Sequence, residues 1–469
     1  MLSEIRRSDE RKKFMIHKYC HNGVYIVMDI NSGAVHVVDR LVYDILDYYR
    51  KEDTESIVKK LSGTYPEDEI RQSVAELDTL VEQRMLFTPD TYSAVAPFVK
   101  KREPVVKALC LHIAHDCNLK CKYCFAEEGE YHGKRELMSA EVGKKAIDML
   151  IKASGARKNL EIDFFGGEPL MNFNVVKEIV EYARSIEEAN NKKFRFTITT
   201  NGILLNDEIL EYINANMHNL VLSIDGRKEI NDKMRPRAGG QGSYDTIVPK
   251  FQKAAESRNQ TDYYVRGTFT RNNLDFAEDV MHLADLGFRQ ISVEPVVADE
   301  SEDYAIREED LPRIFEEYDR LTDMIHERRQ KGEWFNFFHF MIDLTGGPCV
   351  IKRLVGCGSG TEYLAVSPSG ELYPCHQFVG RPEFKLGTVD TGVTNTEVRE
   401  RFENCNVYTK PACSECWARF YCSGGCAANS FNAHGDLKTP YEIGCEMQKK
   451  RIECAIYLKA VEDGDDNNN

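Results

Sequence analysis

The chain has 469 residues, 42% hydrophobic and 29% charged, which allows two or three domains of ordinary soluble composition. Its net charge of -15 argues against general nucleic-acid binding, which needs a basic face. No run approaches the roughly 18 uninterrupted apolar residues of a membrane helix. MLSEIRRSDERKKF has charges with no apolar core behind them, so it does not read as a secretory signal, and the expected location is the cytoplasm. Fifteen cysteines are many for that compartment, where disulfides are rare, so clustered cysteines read as metal or redox sites.

Residues 1–95 read as a small front domain. Val24, Ile26 and Met28 alternate, as do Val35 and Val37, and Asn31-Ser32-Gly33 supplies a turn between two strands. Leu41, Ile45 and Leu46 start a helical pattern, a second helix spans Thr54 to about Leu61, and a third spans Pro66 to Met85. This winged-helix-like layout resembles the peptide-recognition element fused to many peptide-modifying enzymes. The resemblance implies a leader peptide that adds as a strand to the sheet edge. A DNA-binding wing is the alternative, and Glu67, Asp68, Glu69 and Glu76 on the last helix count against it. Thr91 to Pro104 reads as a linker.

Residues 105–335 alternate apolar runs with helical patterns. The expected strands are 108–114, 160–165, 194–200, 220–224, 263–269 and 290–296. The expected helices are 140–153, 175–189, 208–215, 244–257, 274–286 and 307–331. Six βα units predict an α/β fold, a parallel sheet with helices outside and an active site at the carboxyl ends of the strands. Cys117, Cys121 and Cys124 follow the first strand at spacing C-x3-C-x2-C. That is too tight for a disulfide framework and lacks the paired C-x2-C of structural zinc. An iron–sulfur cluster held by three cysteines keeps one iron free for a small molecule.

With Tyr123 before the last cysteine, this stretch resembles the cluster loop of radical S-adenosylmethionine (SAM) enzymes. Gly166-Gly167-Glu168-Pro169, after the second strand, resembles that family's motif for the SAM amino group, and the glycines were expected to let the backbone approach a ligand. Thr199 and Asn201 follow the third strand; Ser223 and Asp225 follow the fourth and suit ribose hydroxyls; Arg235 suits the SAM carboxylate. Six units resemble the partial (β/α)6 barrel of that family. His112 and His115 read as packing residues, and Glu294 ends the sixth strand without an assigned role.

Residues 345–455 hold the second cysteine set. Cys357, Gly370 and Cys375 are spaced C-x12-G-x4-C around a hairpin at Pro368-Ser369-Gly370. Cys413, Cys416, Cys422 and Cys426 follow as C-x2-C-x5-C-x3-C, and Cys445 comes later. Seven cysteines in this order resemble the SPASM domain, which carries two auxiliary [4Fe–4S] clusters. A zinc ribbon accounts for four of them. The resemblance implies an outer cluster on Cys413, Cys416, Cys422 and Cys445, and an inner one on Cys357, Cys375 and Cys426. The inner cluster's fourth position is either Cys349 or an open iron able to bind a substrate thiolate; Cys405 is a spare. Residues 460–469 read as an acidic, disordered tail.

Taken whole, the chain resembles a radical SAM/SPASM peptide maturase, most closely the thioether-forming maturases of SCIFF (ranthipeptide) precursors. The resemblance rests on CNLKCKYCFAEEGEYHG, GGEP, SIDG and the CSGGC-containing set behind a front domain. It implies SAM and three [4Fe–4S] clusters as cofactors, a cysteine-rich precursor peptide with its leader, and a one-electron reductant such as flavodoxin or ferredoxin, with no nucleic acid and no membrane, in an anaerobe. It implies a 5′-deoxyadenosyl radical that takes hydrogen from a peptide carbon, which a cysteine sulfur of the same peptide then joins. Other SPASM chemistry, such as sulfatase formylglycine maturation or carbon–carbon crosslinking, is the first alternative. An iron–sulfur electron carrier would have no use for GGEP and SIDG at strand ends.

Overall fold

All six expected parallel strands form, each within a residue or so of the range read from the sequence. The computed structural model describes residues 15–100, 105–345 and 349–466. The N-terminal segment MLSEIRRSDERKKF, residues 101–104 of the expected linker and residues 467–469 of the expected tail lie outside the described residues.

The front domain has three strands, β1 Ile16–His21, β2 Val24–Asp29 and β3 Val35–Val38, in one antiparallel sheet of order β1-β2-β3. Two strands were expected. The signal for the first is Asn22-Gly23, both at positive φ (47° and 79°), the backbone that a two-residue hairpin of matching twist requires. Helices Arg40–Ile45, Thr54–Leu61 and Glu67–Glu82 follow; the Asp39 and Asp53 side chains cap the first two by accepting from Val42 N and Ser56 N. The period-two pattern of β2 divides it: Val27 packs with Ile45, Ile70 and Leu77 of these helices, whereas Ile26 and Met28 join the main core.

The expected linker is instead helical over Tyr92–Lys100, with Pro97 inside. The Tyr92 ring meets Phe420, centroids 5.0 Å apart, so this segment is held against the second cysteine region.

The parallel strands are β4 Ala108–His115, β6 Asn159–Gly166, β7 Lys193–Thr200, β8 Asn219–Ser223, β9 Tyr263–Phe269 and β10 Gln290–Pro295; a short β5, Glu136–Leu137, pairs β4. Alternation sorts their residues. Leu109, Leu111, Ile162, Phe164, Phe196, Ile198, Leu222, Val265 and Val293 fall on one face and are fully buried. The register puts Asp163 beside Thr197, Ser223 beside Arg266 and Glu294 beside Thr268, so the opposite face is polar.

The sheet is larger than six strands. β11 Asn336–Phe337 adds beside β10, and β12 Tyr363–Val366 adds parallel to β4; β13 Glu371–Tyr373, β14 Gly387–Thr388 and β15 Gly392–Val393 continue antiparallel. The hairpin of the second cysteine set is therefore continuous with the strand that carries the first. The acidic end of the chain is helical as far as Asp466, not disordered from 460, because the helix Glu442–Asp466 buries Met447, Ile452, Ile456 and Leu458 and lies against helix Leu311–Gln330. Among the described residues no helix is long and apolar enough to cross a membrane.

Candidate active site and cysteine sites

The cysteine loop leaves the end of β4 and is pinned by backbone: Lys120 N donates to Pro236 O at 2.8 Å and Lys122 N to Met234 O at 2.9 Å. Leu119 N and Asn201 Nδ2 point at the Cys117 sulfur, at 3.5 and 3.7 Å. Burial pushes the Cys117 thiol up to about 12 and the Cys121 thiol up to about 11. Thiols this buried ionise only beside a cation, which a bound metal cluster supplies.

Gly166 and Gly167 serve the protein's own packing. A Cβ on Gly166 would lie 2.3 Å from Ala114 O, and one on Gly167 2.2 Å from Asp116 O. The two glycines therefore do two things: their missing Cβ admits the backbone of the residues before Cys117, and they also line the cleft, as expected of ligand-side glycines. Gly167 N and Glu168 N close the contact by donating to Ala114 O and Asp116 O at 2.7 and 2.9 Å. Glu168, 1% exposed, is thus fixed next to the loop. Its carboxylate accepts from Leu170 N (3.0 Å), Thr200 Oγ1 (2.7 Å) and Asn201 N (2.7 Å). Burial outweighs these bonds and raises its pKa to about 7. A carboxylate has about four acceptor positions, so one remains.

Tyr123, Asp225 and Arg235 form one buried unit. The Tyr123 hydroxyl donates to the Asp225 carboxylate at 2.7 Å and accepts from Arg235 Nη1 at 2.9 Å. Asp225, expected at a ribose, instead stands behind Tyr123 and also accepts from Thr268 N at 3.1 Å. The Arg235 Nε and Asn118 Nδ2 hydrogens are buried without an acceptor.

These groups surround a cleft of about 690 Å³, part of it open to solvent. Its walls include Cys117, Cys121 and Cys124 together with Tyr123, Gly166, Gly167, Glu168, Thr199, Asn201, Ser223 and Arg235. Two orphaned donors, a spare carboxylate position and three sulfurs are a donor set that fits a zwitterionic ligand beside a cluster. His112 and His115 are buried, held uncharged by burial and packed with Tyr131, as expected of packing residues.

The later cysteines have electrostatic neighbours among themselves. The charges of Cys357 and Cys426 both bear on Cys375, and those of Cys422, Cys413 and Cys416 bear on Cys445. Cys349 stands exposed at the start of helix Val350–Val355, outside the cavity that Cys357 lines; Cys405 lines that cavity. Among the described residues no three His, Cys, Asp or Glu side chains lie close enough to hold a single metal ion. The first and second sites are linked by rings: His376, next to Cys375, lies 5.6 Å from Phe125, next to Cys124, and 5.2 Å from Phe165.

The family model of the radical SAM superfamily matches residues 111–267, from β4 into β9. An uncharacterized protein of Methanocaldococcus jannaschii is 32% identical over 222 residues, 47% of this chain and 71% of that protein. The chain belongs to the radical SAM superfamily. SAM and a [4Fe–4S] cluster are accordingly its cofactors. A cysteine-type anaerobic sulfatase-maturating enzyme of Clostridium novyi is 24% identical to this radical SAM protein over 358 residues, 72% of this chain and 92% of that enzyme. The fold matches SuiB of Streptococcus suis bound to its precursor peptide SuiA, with TM-score 0.53, 15% identity, and coverage of 92% of this chain and 99% of that one. Its relatives therefore include peptide-modifying maturases.

Sequence reasoning did not single out Thr200, which holds Glu168, nor Lys410, a lysine 2% exposed among the later cysteines. Thr200 carries a signal, since it ends a strand one residue before Asn201. Lys410 carries none, being one of 61 basic residues.

Proposed function

We propose that this radical SAM protein installs thioether crosslinks, cysteine sulfur to carbon, within a ribosomally made, cysteine-rich precursor peptide of the SCIFF (ranthipeptide) kind. The observation that carries the reading is the front sheet. β3 is an edge strand, pairs among the described residues only with β2 and exposes Val37, so its outer side offers a ladder edge to an extended leader peptide. The likeness in fold to SuiB, solved with a precursor peptide, supports the same use.

Cys117, Cys121 and Cys124 would hold the cluster that takes SAM, and the two later sets would hold two auxiliary [4Fe–4S] clusters, the inner one either closed by Cys349 or left with an open iron. When bound, SAM and the clusters supply a carbon-centred radical able to take hydrogen from an unactivated carbon, and a place for the surplus electron. The protein's own residues place and shield. Glu168 offers its remaining acceptor position to the SAM ammonium, and Arg235 Nε–H and Asn118 Nδ2 offer donors to the carboxylate. Tyr123 keeps Arg235 and Asp225 in place. Ser223 and Thr199, on the polar face of the sheet, reach the ribose side of the cleft. Phe125, Phe165 and Tyr131 close its wall against water.

The test is anaerobic reconstitution with SAM, a reductant and the cysteine-rich peptide of the neighbouring gene. About twelve irons per chain, release of 5′-deoxyadenosine and a peptide lighter by two hydrogens per link, with those cysteines no longer alkylatable, are expected. SAM cleavage with an unchanged peptide would remove the thioether reading. The sulfatase-maturating relative favours a second reading, oxidation of one cysteine in a sulfatase peptide. That reaction would give an aldehyde on a synthetic sulfatase peptide and no crosslink.

A further inference from the structure

Lys410 is a fully buried lysine at the start of the short helix Pro411–Ser414, between the two later cysteine sets. Its ammonium donates to Gly424 O at 2.7 Å, and its charge bears on the Cys405 thiol. Its charge also bears on Cys413 of the outer set and on Cys426 of the inner set. It lines the same cavity as Cys357 and Cys405. Among the described residues no carboxylate pairs with it. Arg419, equally buried and close by in sequence, differs: its guanidinium meets Asp90 Oδ2 at 3.1 Å, Asn31 Oδ1 at 2.7 Å and Ser414 O at 2.6 Å.

A buried cation without an anion is costly, and proteins keep one only where a counter-charge resides. The cavity that Lys410 lines also holds Glu362 and Glu403, which form ion pairs with Lys107 and Arg399, and the sulfurs of Cys357 and Cys405.

We propose that Lys410 is the fixed counter-charge of the auxiliary clusters, a positioning residue that stabilises their reduced, more negative state. The inference rests on the reading of Cys357, Cys375 and Cys426, and of Cys413, Cys416, Cys422 and Cys445, as cluster ligands. The step it acts on is simple: an oxidised cluster gains one electron and one unit of negative charge. A fixed positive charge nearby makes that gain more favourable, and so raises the potential at which the clusters can accept an electron from the reaction.

The experiment is an EPR-monitored redox titration of the reconstituted full chain, wild type against Lys410→Met and Lys410→Arg. Lys410→Met is expected to keep the wild-type iron content and to hold the electron about tenfold more weakly at one auxiliary cluster or both, a 59 mV fall for one electron. The signal of the SAM cluster should stay in place, and Lys410→Arg should restore the wild-type potential. Unchanged auxiliary potentials at full iron content would overturn the proposal and leave the reading of the cysteines intact. A wild-type chain with only one cluster would overturn that reading itself. If Lys410→Met loads iron poorly, urea unfolding of the metal-free proteins decides. The methionine variant is then the more stable if Lys410 is a cation stranded without its cluster, and no more stable if the proposal is wrong.

Discussion

The hydroxyl of Tyr123 lies 2.7 Å from both carboxylate oxygens of Asp225. One residue sits on the cysteine loop and the other after β8, so this contact ties the loop to the far side of the cleft. Asp225 is fully buried, and burial raises its pKa to about 6 even with Arg235 and Tyr123 pulling it down. Tyr123→Phe leaves that carboxylate short of a donor and Arg235 Nη1 short of an acceptor. The expected loss is about 1–3 kcal/mol. Urea unfolding of the metal-free chain should show a lower midpoint with the same slope.

Gly167→Ala tests whether the glycine serves backbone packing. The added Cβ would sit 2.2 Å from Asp116 O, and neither backbone can yield without moving Glu168 or Cys117. SAM binding to the cluster-loaded variant should fall at least about tenfold, with a loss of about 2 kcal/mol or more in stability. Wild-type affinity by calorimetry would mean that the two segments are free to separate.

Asp163 lies on the polar face of the sheet, and burial pushes its carboxyl up to about 7. A carboxyl whose folded pKa is raised favours folding below its unfolded pKa near 3.9, and that stability is lost as pH rises towards about 7. Asp163→Asn removes the charge and retains a polar partner for Thr197. The variant should be more stable than wild type by on the order of 4 kcal/mol at pH 8, with the gain vanishing near pH 4. Thermal unfolding across that range gives the answer, and a pH-independent difference would contradict the assignment.

Arg419 joins the front domain to the second cysteine region through Asp90 and Asn31. Arg419→Met removes the cation beside Asp90, whose carboxylate is then left with the Tyr408 hydroxyl (2.7 Å) and Ser93 N (3.1 Å). Breaking one side of a buried pair costs about 3–5 kcal/mol. Hydrogen exchange in β1 and β2 should accelerate in the variant, while β6 to β8 stay protected.

Cys349 stands outside the cavity lined by Cys357. If the inner cluster keeps an open iron, Cys349→Ala should retain wild-type iron and sulfide after reconstitution. Cys357→Ala and Cys445→Ala should each lose about four irons. Loss of iron from the Cys349 variant would return it to the ligand set.

The sequence by itself determined the local pieces. Period-two runs such as Leu160, Ile162 and Phe164 specify strands because alternate side chains must reach the same face. The cysteine spacings specify sites because ligands a few residues apart on one loop stay together whatever the rest of the chain does. Residues such as Glu168 and Arg235 were legible because they sit at or just beyond the ends of such elements.

Only the tertiary structure decided what distance along the chain conceals. It set β12 beside β4, 255 residues away (Ala108 opposite Tyr363), and so carried the second cysteine set up to the first. It made a helix of an acidic tail, because a helix anchored along Met447, Ile452 and Ile456 propagates at little further cost. It gave two glycines of the cleft wall a second task as a backbone crossing, and buried Lys410 where no pattern marks it. Burial and pairing are properties of neighbours, and neighbours exist only once the chain has folded.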